Sequence, residues 1–100
     1  MDVTQHFQVF SYQTPTEWSE RQEHRGKQSV QLGRAGGLNF GIQVVKRGGE
    51  TNLHAHTGLD SGWLVLKGRA KFYGIGDVVV GDLSSGEGIM IPGGVPYWFE

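Results

Sequence analysis

Apolar and polar residues alternate with a period of two through most of the chain after residue 37. In residues 38–44 every second side chain is apolar, which predicts a half-buried strand. Residues 69–73 alternate in the same way, and residues 63–66 are apolar on both faces, which predicts a strand covered on both sides. Shorter apolar runs follow at residues 78–80, 89–91 and 95–99. About eight to ten short strands of this kind predict an all-β fold.

The first third of the chain is less regular. Residues 6–12 predict a short strand, and residues 14–21 predict a turn leading into a helical turn capped by Thr14 or Thr16. Residues 20–27 are charged and lack periodicity, which indicates a loop, and residues 29–32 predict a strand that Gly33 interrupts. We therefore expect one domain with an N-terminal segment, residues 1–37, followed by a barrel core, residues 38–100.

Composition narrows the classes of function. The chain has 17 glycines in 100 residues, and they fall between short apolar runs as turns do in all-β proteins. The net charge is −1 and the basic residues are scattered, which argues against nucleic acid as a partner. No apolar run approaches the roughly 18–20 residues of a membrane span, and the polar N-terminus lacks a signal pattern. We expect a cytoplasmic protein with no membrane partner. Without cysteine, the chain has no disulfide, thiolate site or thiol nucleophile.

The strongest candidate for chemistry is a pair of histidines, His54 and His56, that lie two residues apart. In a strand such residues point to the same face, so both imidazoles would look into one space. Two neutral imidazoles side by side are typical of a transition-metal site or of a polar pocket that holds a ligand.

The spacing of the residues around this pair extends the pattern into two motifs. They contain these residues in order: Gly48, His54, His56 and Gly68, and then Gly86, Pro92, Gly94 and Tyr97. This spacing resembles the two conserved motifs of the cupin superfamily, and the likeness covers roughly residues 40–100. The resemblance implies a jelly-roll β-barrel and a homodimer. The usual cupin metal site adds a glutamate and a third histidine, and at those two positions this chain has Ser61 and Tyr97.

Three arrangements of the site remain open. In the first, a divalent metal (Fe, Zn, Mn or Ni) is held by His54, His56 and Asp60, although Asp60 lies one residue from the expected position. In the second, Tyr97 is a ligand, which requires a metal acidic enough to ionise a phenol of pKa about 10. In the third, no metal is held tightly, and the two histidines, Ser61 and Tyr97 are hydrogen-bonding groups in an apolar pocket.

Parity along the strands also predicts the walls of the pocket, with Trp63, Phe72 and Phe99 as ligand-binding residues beside Phe40 and Met90. The alternative is that these side chains simply fill a core.

The resulting hypothesis is a small-molecule-binding cupin, with oxygenase, isomerase or lyase chemistry as its enzymatic form. In that form His54 or His56 would be the base or metal ligand, and Tyr97 would be the acid or an orienting donor. The alternative is a non-catalytic dimeric sensing or structural protein that has lost its metal.

Overall fold

The computed structural model describes residues 7–46, 48 and 52–100. Strands dominate these residues, and the α-helix among them has only six residues, which confirms the all-β class. The chain divides into two compact units, Met1–Lys46 and Arg47–Glu100, here called the N-terminal and C-terminal units.

The N-terminal unit begins its regular structure with a helix, α1 (Glu20–Arg25), where the sequence pattern predicted a loop. The N-cap is Ser19, not Thr14 or Thr16. Ser19 and Gln22 form a capping box, in which each side chain satisfies the other residue's backbone N–H. Gly26 ends the helix in the left-handed conformation, with φ +66°. These local caps define a helix that apolar periodicity could not indicate.

A hairpin follows the helix. Its strands β1 (Lys27–Ala35) and β2 (Leu38–Val45) pair antiparallel, so it spans the position at which we placed the start of the barrel core. Gly33 does not end β1, because it pairs with Phe40, and the register shift between Gln31 and Gly33 leaves Leu32 as the extra residue of a bulge. The strand predicted at residues 6–12 is wrong for residues 7–12, which have no regular structure, and His6 lies outside the described residues.

The C-terminal unit contains the remaining five strands that the structure describes. They are β3 (Ser61–Leu64), β4 (Arg69–Tyr73), β5 (Val79–Ser84), β6 (Gly88–Ile91) and β7 (Trp98–Phe99). β3 pairs with β6 in one sheet, and a second sheet has the order β5-β4-β7, with all pairs antiparallel. Gly68, one of the motif glycines, has φ +84° between β3 and β4, a conformation that glycine adopts without strain. The more specific jelly-roll barrel stays a prediction.

Aromatic rings join the two sheets of the C-terminal unit. The Trp63 ring on β3 lies 6.0 Å from the ring of Phe72 on β4 and 5.0 Å from that of Phe99 on β7, measured between centroids. Phe72 and Phe99 stack at 5.0 Å across their strand pair. Ile91 of β6 is also buried. We call Trp63, Phe72, Ile91 and Phe99 the aromatic core, and it fixes how the two sheets face each other.

The opposite face of the β3–β6 sheet carries exposed apolar side chains. Leu64 is 62% exposed, Leu66 66% and Met90 75%. Leu64 lies opposite Gly88 and Met90 opposite Gly62, which places both on the face away from Trp63. Among the described residues nothing covers Leu64 and Leu66, so the predicted cover on the second face of residues 63–66 is not found there. Met90 points away from Trp63 instead of inward as predicted.

Candidate functional site

The candidate site is built on a backbone bridge between two segments that lie far apart in the sequence. The His54 N–H donates to the Tyr97 carbonyl oxygen at 3.0 Å, and the Tyr97 N–H donates to the His54 carbonyl oxygen at 2.8 Å. Two such bonds define a hydrogen-bonded antiparallel pair, whose two side chains lie next to each other on one face. This single pair places an imidazole beside a phenol.

The three candidate rings converge. The ring centroids of His54 and Tyr97 are 4.3 Å apart, and those of His54 and His56 are 5.2 Å apart with their planes nearly perpendicular. The His56 and Tyr97 centroids are separated by 6.1 Å. Both histidines are exposed, whereas Tyr97 is buried. The result is a solvent-facing imidazole pair with a phenol forming its floor, and we call these three residues the His–Tyr site.

A backbone carbonyl orients the first imidazole. The His54 Nδ1 atom lies 2.9 Å from the carbonyl oxygen of Asn52. A carbonyl oxygen can only accept, so this contact requires the proton on Nδ1 and leaves the lone pair of a neutral imidazole on Nε2. Metal-binding and general-base histidines are commonly held in this way, with one nitrogen anchored and the other available.

Tyr97 is unusual because its hydroxyl is enclosed and unpaired. The residue is only 2% exposed, and neither its hydroxyl oxygen nor the Trp63 indole nitrogen has a hydrogen-bond partner of normal geometry among the described residues. Burial raises the pKa of the Tyr97 phenol, and the nearby Trp63 N–H opposes that rise only in part. With its pKa raised above the usual phenol value, the Tyr97 hydroxyl is neutral near pH 7 in the metal-free protein.

We predict that Tyr97→Phe leaves the free energy of unfolding unchanged or raises it by up to about 1 kcal/mol. A buried hydroxyl without a partner costs about 1–3 kcal/mol of desolvation, so removing it relieves an unfavourable term. Urea denaturation of the two proteins would measure the difference. A loss of more than 1 kcal/mol would show instead that the hydroxyl has a partner in the folded protein.

Asp60 does not join the two histidines. Its Oδ1 atom accepts a hydrogen bond from the Gly93 N–H at 2.8 Å. Among residues 7–46, 48 and 52–100, no three His, Asp or Glu side chains lie close enough together to hold a metal ion. The described donors that fit a divalent ion are therefore the two imidazoles, whereas protein metal centres usually supply three or four ligands. These two donors suit a weakly held ion, with water or a ligand completing its coordination shell.

The other residues predicted for ligand binding lie on β3, β4 and β7. Trp63, Phe72 and Phe99 belong to the aromatic core, as the alternative of a filled core expected, and the Phe72 ring lies 6.3 Å from that of Tyr97. Ser61 begins β3 opposite buried Ile91, on the same face as Trp63. Of these side chains, Phe72 supports the floor of the site directly, through its contact with the Tyr97 ring.

Two contacts of the site were not anticipated from the sequence. The Asn52 carbonyl is a backbone group, and its residue type gave no signal for a role in orienting His54. The bond from Gly93 to Asp60 had an indirect signal, because the Pro92-Gly93-Gly94 run predicts a turn in which the backbone can approach another segment closely. Nothing in the spacing indicated which segment that would be.

No family model, no curated protein and no solved structure matches this chain. Within the part of the chain that the structure describes, no helix has the length and apolar character needed to cross a bilayer.

Proposed function

We propose that this chain is a cupin-type protein with a jelly-roll fold that binds a small organic molecule at the His–Tyr site. The observation that carries the proposal is the backbone pairing of His54 with Tyr97, which brings two exposed imidazoles and an enclosed phenol together. A strand pair that only completed a sheet would not require this combination of side chains. A small set of polar groups converging above an apolar floor is the general form of a small-molecule site.

The chemistry of the site favours a ligand that carries hydroxyl or carboxyl groups. With Nδ1 anchored, His54 presents a basic Nε2 that can accept a hydrogen bond or a proton from such a group. His56 provides a second exposed imidazole 5.2 Å away, so a ligand with two polar groups can contact both rings. In the enzymatic form of the proposal, one imidazole removes a proton from the ligand and the other orients it.

A divalent ion would be held by His54 and His56 and would supply Lewis-acid polarisation of a ligand oxygen. Imidazole nitrogen suits Zn, Ni and Fe better than Mg or Ca. The chain's own contribution is the orientation of the two rings, the anchored Nδ1 of His54 and the apolar floor under them.

A second candidate function is a non-catalytic dimeric protein located in the cytoplasm. Two observations favour it. The described residues supply two imidazoles and no acidic ligand beside them. In addition, Leu64, Leu66 and Met90 present an exposed apolar face that a second subunit would cover. In this form the His–Tyr site senses a ligand without converting it.

The proposal is tested by titrating Ni²⁺ or Zn²⁺, and then a panel of small hydroxy acids and sugars, into isotope-labelled protein. We expect the largest NMR shifts at His54, His56 and Tyr97. His54→Ala and His56→Ala should each weaken Ni²⁺ binding by tenfold or more, measured by calorimetry. His24→Ala, at the end of α1, is the matched control and should change nothing. Shifts spread evenly over the chain, or equal effects of His24→Ala, would refute the proposal.

A further inference from the structure

The His–Tyr site is connected to a second structural feature, a turn pressed against the loop that follows the histidines. The turn spans residues 92–95 and closes through the Val95 N–H, which donates to the Pro92 carbonyl oxygen at 3.2 Å. Gly94 has φ +81°, a conformation that glycine adopts without strain. Its N–H donates to the His56 carbonyl oxygen at 2.9 Å, so the turn is bonded directly to a site residue.

Two further contacts lock the turn in this position. The Asp60 carboxylate accepts the Gly93 N–H at 2.8 Å. Gly93 also lies so close to the chain at Leu59 that a Cβ atom on it would be 2.8 Å from the Leu59 carbonyl oxygen. Residues 59 and 60 therefore contact the turn at Gly93, and the His56 carbonyl contacts it at Gly94.

We infer that Asp60 is a positioning residue of the His–Tyr site, acting through the 92–95 turn. Tyr97 follows this turn by two residues, and its pairing with His54 depends on where the turn delivers the chain. A carboxylate bonded to a backbone N–H is about twice as strong an interaction as a neutral hydrogen bond. Asp60 thus fixes the register of the His54–Tyr97 pair, which brings the phenol under the imidazoles. Its role is to position the turn and not to bind a metal.

The functional meaning of this inference rests on the proposed function, but the effect of Asp60 on the position of the turn can be tested by itself. In Asp60→Ala the Gly93 N–H loses its acceptor, so amide hydrogen exchange at Gly93, Gly94 and Tyr97 should accelerate by about tenfold. In Asp60→Asn the side-chain carbonyl oxygen can accept the same bond, so protection should be largely restored. Asp82→Ala removes another exposed carboxylate, one bonded to Arg69, and should leave these amides unchanged.

Calorimetry with Ni²⁺ provides the second readout. Residues that orient metal ligands typically affect affinity by about 10–100-fold, so Asp60→Ala should weaken Ni²⁺ binding by at least tenfold and Asp60→Asn should restore it. Unchanged exchange in Asp60→Ala would overturn the inference. So would an Asp60→Asn protein with normal amide protection but weakened Ni²⁺ binding, because that result requires the charge itself. If the wild type binds no Ni²⁺ or organic ligand, the proposed function fails, and the exchange data still decide whether Asp60 positions the turn.

Discussion

Phe72→Ala is expected to lower the free energy of unfolding by about 3–5 kcal/mol, the range for removing a large buried aromatic side chain. Phe72 is 1% exposed, the most buried side chain among the described residues of the core. Its ring contacts Trp63 and Phe99, so its loss opens a cavity where the two sheets of the C-terminal unit meet. Urea denaturation followed by tryptophan fluorescence would measure the change.

Leu64→Ala is the matched control for this substitution. Leu64 lies in the sheet that packs on Phe72 through Trp63, but its own side chain is 62% exposed. Its replacement should change the stability of the isolated subunit by no more than about 0.5 kcal/mol, as is usual for surface positions. If Phe72→Ala prevents folding, the smaller cavity of Phe72→Leu still permits measurement. A loss for Phe72→Leu no greater than that for Leu64→Ala would contradict the placement of the core.

Gly88→Ala should destabilise the protein by about 2–3 kcal/mol, although the position is exposed, because overpacking against fixed atoms typically costs about 1–3 kcal/mol. A Cβ atom at residue 88 would clash with the carbonyl oxygen of Trp63. That oxygen belongs to the backbone of the facing strand, so the clash is relieved only if β6 moves away from β3. Movement of β3 would also displace the Trp63 ring from the aromatic core. Thermal unfolding monitored by circular dichroism would detect the loss.

Gly37→Ala provides the comparison for Gly88→Ala. Gly37 lies between β1 and β2, and a Cβ there would have no heavy atom within 4 Å. Because its φ is not in the left-handed region, alanine fits without strain, and the change should be within about 0.5 kcal/mol. Equal losses for the two variants would mean that the effect at residue 88 comes from backbone flexibility instead of the approach of the two strands.

Strands of the C-terminal unit could be predicted because burial imposes a period of two on the sequence. The alternation around Phe72 is confirmed as β4, and the apolar runs near residues 80 and 90 are confirmed as β5 and β6. The helix α1 was missed for the same reason. It contains no buried residue, so no apolar period marks it, and its signals are the Ser19 cap and the final Gly26.

The faces of the strands were harder to predict than the strands themselves. The alternation of side chains along a strand places Trp63 on one face and Leu64 and Leu66 on the other. It does not say whether the face with the two leucines is covered. Coverage depends on which other segments pack there, and in this chain the two leucines and Met90 remain exposed.

The primary structure alone was enough for the all-β class, for the positions of several strands and turns, and for identifying His54 and His56 as a pair, because these follow from local periodicity and from residue chemistry. The resemblance already placed Tyr97 in one site with the two histidines. The backbone pairing of His54 with Tyr97, the enclosed phenol and the attachment of Asp60 to Gly93 required the folded chain. These features join segments more than 30 residues apart. Their geometry depends on strand register and packing, which no local pattern in a single sequence encodes.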